Sequence, residues 1–379
     1  MAWTIDDPSE HFQAIKWAGN STNNRTITFT GNSDLEPDFV WTKLKDSGGN
    51  SHWAYDSTRG FAANKSISSD RDLGDGNDTD VFGYVSANAS DGFVTTGGSG
   101  GDPYQYLNKS TYNYVAWAWK ANGGTTTAFS AESPASGSQL AGTHQANTTS
   151  GFSIVTYTGD GGTPRTVLHG LGVAPEVIMT KRRDTTGDWI VMGDHMFHTN
   201  PWDGNSMELQ STDNSGGSKN VVGGNNPATA TKFYTGDHAD VNADDATYVS
   251  YCFAPKKGFS KFGIYEGIAN ANGPFIYTGF KPAWILIKPL DNDGYDWAMI
   301  DNARTPFNGE GVAEWLWANS SGTEFTDTDS GIDLDLDMLS NGFKITSARN
   351  EINIAATLFY MAFAEQPFVT SDGVPVTGR

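Results

Sequence analysis

Short apolar runs that end in polar turns recur along the chain and predict β-hairpins. The runs lie at residues 38–43, 176–181 and 283–288. They are rich in β-branched and aromatic side chains, which is typical of strands covered on both faces. The turns that follow lie at residues 46–50, 184–188 and 291–294. Each turn contains glycine, which supplies the left-handed conformation of a tight hairpin. The pattern predicts antiparallel sheets, and no segment has the periodicity of an amphipathic helix.

The same landmarks accompany each hairpin at nearly constant spacing. A proline is followed by a lysine, an aspartate and then a tryptophan. The three sets are Pro37, Lys43, Asp46 and Trp53; Pro175, Lys181, Asp184 and Trp189; and Pro282, Lys288, Asp291 and Trp297. Apolar closing strands follow at residues 114–119, 248–253 and 358–363. Such self-similarity indicates repeated whole units, in which the three tryptophans are predicted to be core residues at matching positions.

The repeats divide the chain into three predicted units and a linker. Unit 1 spans residues 10–121, unit 2 spans residues 151–255 and unit 3 spans residues 257–367. Residues 122–150 are small, polar and aperiodic, so they are predicted to be a flexible linker that cannot fold alone. Two packed antiparallel sheets are the simplest way for each unit to bury its strands. The expected fold is all-β, with three repeated β-sandwich units of jelly-roll or lectin-like type.

Three like units in one chain can surround a pseudo-threefold axis, as separate subunits do in a trimer. The predicted linker is long enough for unit 1 to close such a ring. We therefore expect a compact triangular molecule, and the alternative is a linear string of units.

Composition supports the all-β class and excludes several partners. The 379 residues include 44 glycines and 12% aromatic residues, which suits short strands joined by tight turns. The formal net charge of −20 argues against a nucleic-acid partner and against an anionic membrane surface. We expect no secretory signal, because residues 1–7 have no basic region or apolar core. We expect no membrane insertion, because the longest apolar stretch, residues 355–364, is short. Cys252 lies in an apolar strand and is expected to be a buried, inert thiol.

Several acidic segments could bind a cation. The turn at residues 291–294 resembles the start of a calcium loop, but Asn302 stands where an EF-hand needs its bidentate glutamate. The segments at residues 75–80, 237–245 and 327–337 are either solvated loops or weak cation sites. We predict no cofactor and leave calcium open.

A second metal candidate is the group Asp194, His195 and His198. On a strand, the two histidines would face opposite sides of the sheet. No metal site is therefore predicted there.

Two D-x-x-R motifs follow the tryptophan strands. They run from Asp56 to Arg59 and from Asp301 to Arg304. We predict that each motif forms an ion pair that fixes its loop, with ligand recognition as the alternative.

Three tryptophans fall outside the repeat, namely Trp202, Trp315 and Trp317. They are the predicted ligand-binding residues, because an exposed indole can stack on sugars or contact a protein. The competing interpretation is that they are core residues. No catalytic residue is predicted.

Residues 37–43, 56–60, 114–120, 151–159 and 169–172 carry a resemblance to a family of structural proteins from marine tailed bacteriophages. The resemblance extends over about residues 10–363. It implies a tail-fibre-like or lectin-like virion component and no particular chemistry. The chain lacks the coiled-coil shaft or collagen-like repeat of large fibres, so a capsid or tail decoration is an equally open location.

We therefore expect a virion surface protein that binds phage capsid or tail proteins. Host surface glycan is a further candidate ligand, and a homo-oligomer is an option. What recurs along the chain is apolar framework, which favours an architectural or binding role over an enzyme. The alternative is a polysaccharide-degrading depolymerase, whose paired carboxylates cannot be singled out among 44 acidic residues.

Overall fold

The computed structural model describes residues 5–375 apart from residues 77–78, 134, 136, 197–201, 203–205, 215–218, 307, 310–312 and 327–334. Regular structure in this range is almost entirely β, which confirms the predicted class. Short helices lie at Thr79–Phe82, Ala239–Asn242 and Asn350–Asn353, with 3-10 turns at Pro8–Glu10 and Ala63–Lys65. None of the helices in the described range is long and apolar enough to cross a bilayer.

Strands follow one another along the whole described chain. In unit 1 they are β1 (Phe12–Ala18), β2 (Arg25–Ile27), β3 (Phe39–Leu44), β4 (Trp53–Asp56), β5 (Tyr84–Ala89), β6 (Gly92–Thr96) and β7 (Asn113–Trp119). The predicted linker contains β8 (Thr127–Phe129) and β9 (Gly142–Asn147). In unit 2 they are β10 (Phe152–Thr158), β11 (Arg165–Leu168), β12 (Val177–Arg182), β13 (Trp189–Gly193), β14 (Met207–Glu208), β15 (Lys232–Thr235) and β16 (Thr247–Phe253). In unit 3 they are β17 (Ser260–Glu266), β18 (Phe275–Tyr277), β19 (Phe280–Pro289), β20 (Ala298–Asp301), β21 (Glu314–Trp317), β22 (Phe325–Thr326), β23 (Leu336–Leu339), β24 (Gly342–Ile345) and β25 (Thr357–Pro367).

The main sheet of each unit contains four strands in the same order. Unit 1 has β1-β7-β3-β4, unit 2 has β10-β16-β12-β13 within a seven-stranded sheet, and unit 3 has β17-β25-β19-β20 within a six-stranded sheet. In each case the opening strand pairs with the closing strand, and the closing strand pairs with the strand that follows the landmark proline. All these pairs are antiparallel.

The registers of the three sheets also correspond. The matching cross-strand pairs are Phe39 with Trp119, Val177 with Phe253, and Trp284 with Phe363. We call residues equivalent when this register places them at the same position. Pro37, Pro175 and Pro282 are equivalent in this sense, as the spacing predicted. That the units superpose as wholes stays a prediction.

One face of each main sheet packs against a smaller sheet and forms a separate core. The smaller sheets are β2-β6-β5, β11-β15 and β18-β24-β23. Phe93, Phe233 and Phe343 are fully buried members of these cores in units 1, 2 and 3. Each unit is thus a small two-sheet sandwich, which agrees with the expected antiparallel architecture.

The opposite faces of the three main sheets meet in one central cluster of buried residues. Ring contacts join every pair of units: Phe39 to Tyr251 at 4.3 Å, Trp119 to Trp284 at 5.7 Å and Phe253 to Phe363 at 5.9 Å between centroids. A linear string would separate units 1 and 3, so these contacts favour the compact arrangement. Burial of so much aromatic surface is the main stabilising contribution that joins the units.

The prediction that residues 122–150 form a flexible linker is partly wrong. Strands β8 and β9 extend the sheet of unit 2, because β9 pairs with β10 along residues 142–147 and β8 pairs with β9. Gln145, which is buried, also donates to the hydroxyls of Ser57 at 2.7 Å and Thr58 at 2.6 Å. Backbone pairing at a free sheet edge orders residues whose side chains bury little apolar surface. The segment therefore fastens unit 2 to unit 1.

Candidate functional site

The polar residues that sequence analysis singled out gather mainly where two units meet. We call these contacts seam 1–2, seam 1–3 and seam 2–3, after the units that form them. Each seam lies at the edge of the central cluster. The contacts of these side chains show whether they join the units or are available to bind a ligand.

At seam 1–2 the first D-x-x-R motif forms the predicted ion pair. Arg59 Nε donates to Asp56 Oδ2 at 2.5 Å, and both side chains are fully buried. Tyr251 of unit 2 donates its hydroxyl to the same Asp56 oxygen at 2.7 Å. Burial lowers the pKa of Arg59, but the carboxylates of Asp56 and Asp75 outweigh it and raise that pKa. The pair is therefore charged, and it belongs to the contact between units as well as to its loop.

Asp75 extends this network across seam 1–2. Its carboxylate accepts from Arg59 Nη1 at 3.0 Å and from Arg183 of unit 2 at 2.9 Å. One carboxylate of unit 1 thus binds an arginine from each unit. The acidic segment at residues 75–80 was a candidate cation site, and its first residue is used here for ion pairing. Residues 77–78 of that segment lie outside the described residues.

Seam 1–3 carries the second D-x-x-R motif in the same geometry. Arg304 Nε donates to Asp301 Oδ2 at 2.6 Å, again with both side chains fully buried. Trp117 of unit 1 donates its indole N–H to Asp301 Oδ2 at 3.0 Å, and the guanidinium of Arg304 lies 5.7 Å from the centre of the Trp117 ring. Trp117 is equivalent to Tyr251. Both motifs therefore meet the same position of a neighbouring unit.

Seam 2–3 has different side chains at the equivalent positions. Gly193 stands where units 1 and 3 have aspartate, and Met196, three residues later, stands where they have arginine. Met196 is buried in the central cluster together with Met361, which is equivalent to Tyr251 and Trp117. A Cβ atom on Gly193 would lie 2.0 Å from the Glu176 carbonyl oxygen, so no larger residue fits the present backbone.

Three equivalent lysines are buried, and two of them donate across a seam. Lys181 Nζ donates to Gly187 O at 2.7 Å and, across seam 1–2, to Asp72 O at 2.9 Å. Lys288 Nζ donates to Tyr295 O at 2.5 Å and, across seam 2–3, to Thr212 O at 2.9 Å. Lys43 Nζ donates to Asn50 O. Burial lowers the pKa of each lysine to about 8.

Each seam also contains a ring N–H that points to a carbonyl oxygen of the next unit. Trp189 donates to Ser68 O at 2.6 Å, and Trp297 donates to Glu208 O at 3.0 Å. In unit 1 the equivalent residue is His52, whose Nε2 lies 3.1 Å from Trp317 O. His52 Nδ1 accepts from the Trp41 indole at 3.1 Å, so its proton is on Nε2. Burial lowers the pKa of His52 well below its usual value.

The predicted match of Trp53 with Trp189 and Trp297 is therefore wrong by one residue. Trp53 pairs with Thr42, whereas Trp189 pairs with Lys181. A shift of one residue turns a side chain to the other face of a sheet. Trp53 is buried in the separate core of unit 1, 5.0 Å from the Tyr106 ring, while Trp189 and Trp297 lie in the central cluster.

The predicted ligand-binding tryptophans are buried and cannot be exposed platforms. Trp202, Trp315 and Trp317 have 4%, 0% and 7% of their surface exposed. Trp202 Nε1 donates to Asp194 Oδ1 at 2.6 Å. The other two pack in the core of unit 3. Sequence alone missed this because these tryptophans stand outside the repeated landmarks, which do not mark the packing that buries them. The core interpretation of these three residues is correct.

The metal candidates do not converge in the part of the chain that the structure describes. His198 lies outside the described residues. His195 Nε2 is 3.2 Å from Glu176 Oε2, and Asp194 is occupied by Trp202. At the turn of residues 291–294, Asp293 accepts from Asn214 N at 2.8 Å and Asp291 accepts from Thr357 N at 3.0 Å. The described residues contain no group of three or more histidine, cysteine, aspartate or glutamate side chains placed to hold a metal.

A polar cleft lies between units 1 and 3. Its volume is about 450 Å³, and Gln13, Lys16, Asn32, Asn302 and Gln366 contribute to its walls. Asn302 donates to Glu365 at 2.9 Å, and Lys281 pairs with the same carboxylate at 2.8 Å. The size is in the range of small-molecule sites, and the amides can both donate and accept hydrogen bonds. This cleft is a candidate site for a small polar ligand.

A family model described as a domain of unknown function (DUF7483) matches residues 7–367. No curated protein and no solved structure is similar enough to the chain to count as a match.

Proposed function

The chain belongs to the DUF7483 family, and from that premise we propose that it is a structural protein on the surface of a tailed-bacteriophage particle. It acts there as a tail fibre, tail or capsid decoration and not as an enzyme. It binds other virion proteins, and it takes host surface glycan as a second ligand.

The use of the chemically reactive side chains supports a structural role. The buried arginines, aspartates and lysines described above donate to or accept from a neighbouring unit or a nearby turn. Ion pairs this deeply buried restrict geometry more than they add stability. A chain whose buried charged groups join its own units has the properties of a rigid building block. This observation carries the proposal.

The cleft between units 1 and 3 supports the glycan part of the proposal. Sugars present hydroxyl groups that pair with amide side chains, and Asn32 of unit 1 and Asn302 and Gln366 of unit 3 offer such groups. A ligand there would contact both units at once. Its binding would depend on seam 1–3 being intact.

Localisation in the purified particle tests the structural proposal. Particles are separated into capsids and tails, and each fraction is analysed by mass spectrometry and by labelling with an antibody to this chain. We expect the chain in one fraction at a stoichiometric ratio. Its absence from washed particles would overturn the proposal.

A reducing-sugar assay on host envelope polysaccharide separates the proposal from a depolymerase. We expect binding of the polysaccharide without release of new reducing ends. Asn302→Ala is expected to weaken that binding, whereas Asn272→Ala, on the outer side of unit 3, serves as the matched control. Release of reducing ends by the native chain would support the enzyme instead.

A further inference from the structure

The free edge of strand β18 in unit 3 differs from the equivalent edges in the other two units. β18 is the outermost strand of the sheet β18-β24-β23. Thr278 N donates to Asn341 O, and Ile345 N donates to Pro274 O. This alternation directs the N–H and C=O groups of Phe275 and Tyr277 away from β24. Both side chains are exposed, at 46% and 53%.

In unit 2 the same edge is covered by the chain itself. Thr166 of β11 is equivalent to Phe275, because Val167 and Ile276 pair with the equivalent residues Phe233 and Phe343. Thr166 N donates to Ser138 O at 3.0 Å, and Leu140 N donates to Thr166 O at 2.9 Å. Gln139 thereby forms a parallel bridge with Thr166, and Leu140 is buried in the unit 2 core.

Unit 3 is not preceded by a segment like residues 122–150, since unit 2 and unit 3 follow one another almost directly at residues 255–257. In the described part of the chain no backbone group pairs with Phe275 on this side. Unit 1 leaves the equivalent edge to Thr26 and Thr28, which are polar and exposed. Proteins normally blunt free edges with polar or charged residues. An aromatic pair on an unpaired edge is instead typical of a site for strand addition.

We propose that the β18 edge binds an extended segment of a partner protein, paired in parallel with Phe275 as residues 138–140 pair with Thr166. Main-chain hydrogen bonds to Phe275 hold the segment, and its apolar side chains cover Phe275 and Tyr277.

The charge of the chain indicates that a different protein, and not a second copy of this chain, binds to the β18 edge. Two chains of net charge −20 repel one another. Lys261 donates to Tyr277 O at 2.6 Å and lies 5.4 Å from the Tyr277 ring centre, and Lys344 donates to Asn272 Oδ1 at 3.0 Å. Both lysines bind uncharged oxygens at this edge. The segment that fits therefore carries an acidic residue next to its apolar ones.

The test uses the full chain and a labelled peptide with the sequence of residues 135–143, extended by one aspartate. Fluorescence anisotropy measures binding, and hydrogen–deuterium exchange identifies the protected residues. The matched variant is Phe275→Thr with Tyr277→Thr, which gives unit 3 the side chains of unit 1 and leaves the core untouched. A second peptide is N-methylated at the leucine, so that it cannot donate to Phe275 O.

We expect saturable binding with protection of residues 275–277, and at least a tenfold loss of affinity for the threonine variant and for the methylated peptide. The proposal is overturned by equal binding to the variant, by protection at β11 alone, or by no binding at peptide concentrations up to about 1 mM. Sedimentation of the free chain measures whether it forms dimers. Dimers that are absent in the threonine variant would show that a second copy occupies the edge, and would overturn the proposal.

Discussion

Seams 1–2 and 2–3 use equivalent positions with opposite chemistry. At seam 1–2 a buried arginine and aspartate meet a tyrosine hydroxyl, whereas at seam 2–3 the same places hold Gly193 and Met196. Both seams close. The ion pair is therefore not required to join two units, since removing charges from water costs about as much as their attraction returns. Once present, however, each charge depends on its partner.

The largest expected effect comes from breaking the pair at seam 1–2. Arg59→Met leaves the buried Asp56 carboxylate uncompensated, and such changes cost roughly 3 to 5 kcal/mol of the free energy of unfolding. Chemical denaturation of the purified chain measures the loss. The double variant Asp56→Gly with Arg59→Met removes both charges, as at seam 2–3, and should recover part of the loss but not all of it, because the Tyr251 hydroxyl is then left without its acceptor. A double variant as unstable as the single one would contradict the comparison.

At seam 2–3 the corresponding probe is Trp297. Trp297→Ala removes a fully buried indole from the central cluster and its hydrogen bond to Glu208 O, so we expect a loss of about 3 to 4 kcal/mol. Tyr277→Ala removes an exposed aromatic ring and serves as the control, with an expected change within about 0.5 kcal/mol. A loss below about 1 kcal/mol for Trp297→Ala would show that seam 2–3 is not held by packing.

Seam 1–3 differs from the others in having a histidine, His52, where the other two have a tryptophan. The pKa of His52 is lower in the folded chain than its usual 6.5 because of burial and the nearby Lys43 charge. Below pH 6.5 the unfolded state binds a proton that the folded state excludes, so stability decreases as the pH is lowered, by about 1.4 kcal/mol per pH unit. His52→Gln keeps an acceptor for Trp41 and a donor for Trp317. Its stability should fall less steeply in acid, and parallel pH curves would contradict this role.

The last expected effect is a second pH dependence, which comes from the buried lysines. Burial lowers the pKa of Lys288 to about 8 from its usual 10.5. Between these values the unfolded state binds more protons, so this lysine makes stability rise with pH, by at most about 1.4 kcal/mol per pH unit. Lys288→Met should flatten the rise. Comparing urea midpoints of the two proteins across this range measures the difference, and equal slopes would show that Lys288 stays charged throughout.

Sequence analysis found the elements whose spacing is local. The apolar runs became β3, β12 and β19, and the prolines occupy equivalent positions. Both D-x-x-R motifs form the predicted ion pairs, because a separation of three residues across a turn brings the two side chains together. These features depend on backbone geometry within one hairpin, which the sequence contains directly.

Features that depend on distant contacts were not predictable in the same way. His52 occupies the position equivalent to Trp189, and Trp53, one residue later, lies on the other face of its sheet. The burial of Trp202 and the pairing of β9 with β10 depend on neighbours far along the chain. Nothing in the residues 142–147 themselves marks a strand, since the sheet edge that orders them lies elsewhere.

The unequal seams also fix the direction in which the three units follow one another around the central cluster. With the opposite handedness, the carboxylate of Asp56 would face the position of Met361 and lose the Tyr251 hydroxyl. Trp117 would face the position of Gly193 and have no carboxylate to bind. Three units with identical seams could close in either direction during folding. Replacing one seam by methionine and glycine makes only one of the two closures compatible with its buried charges.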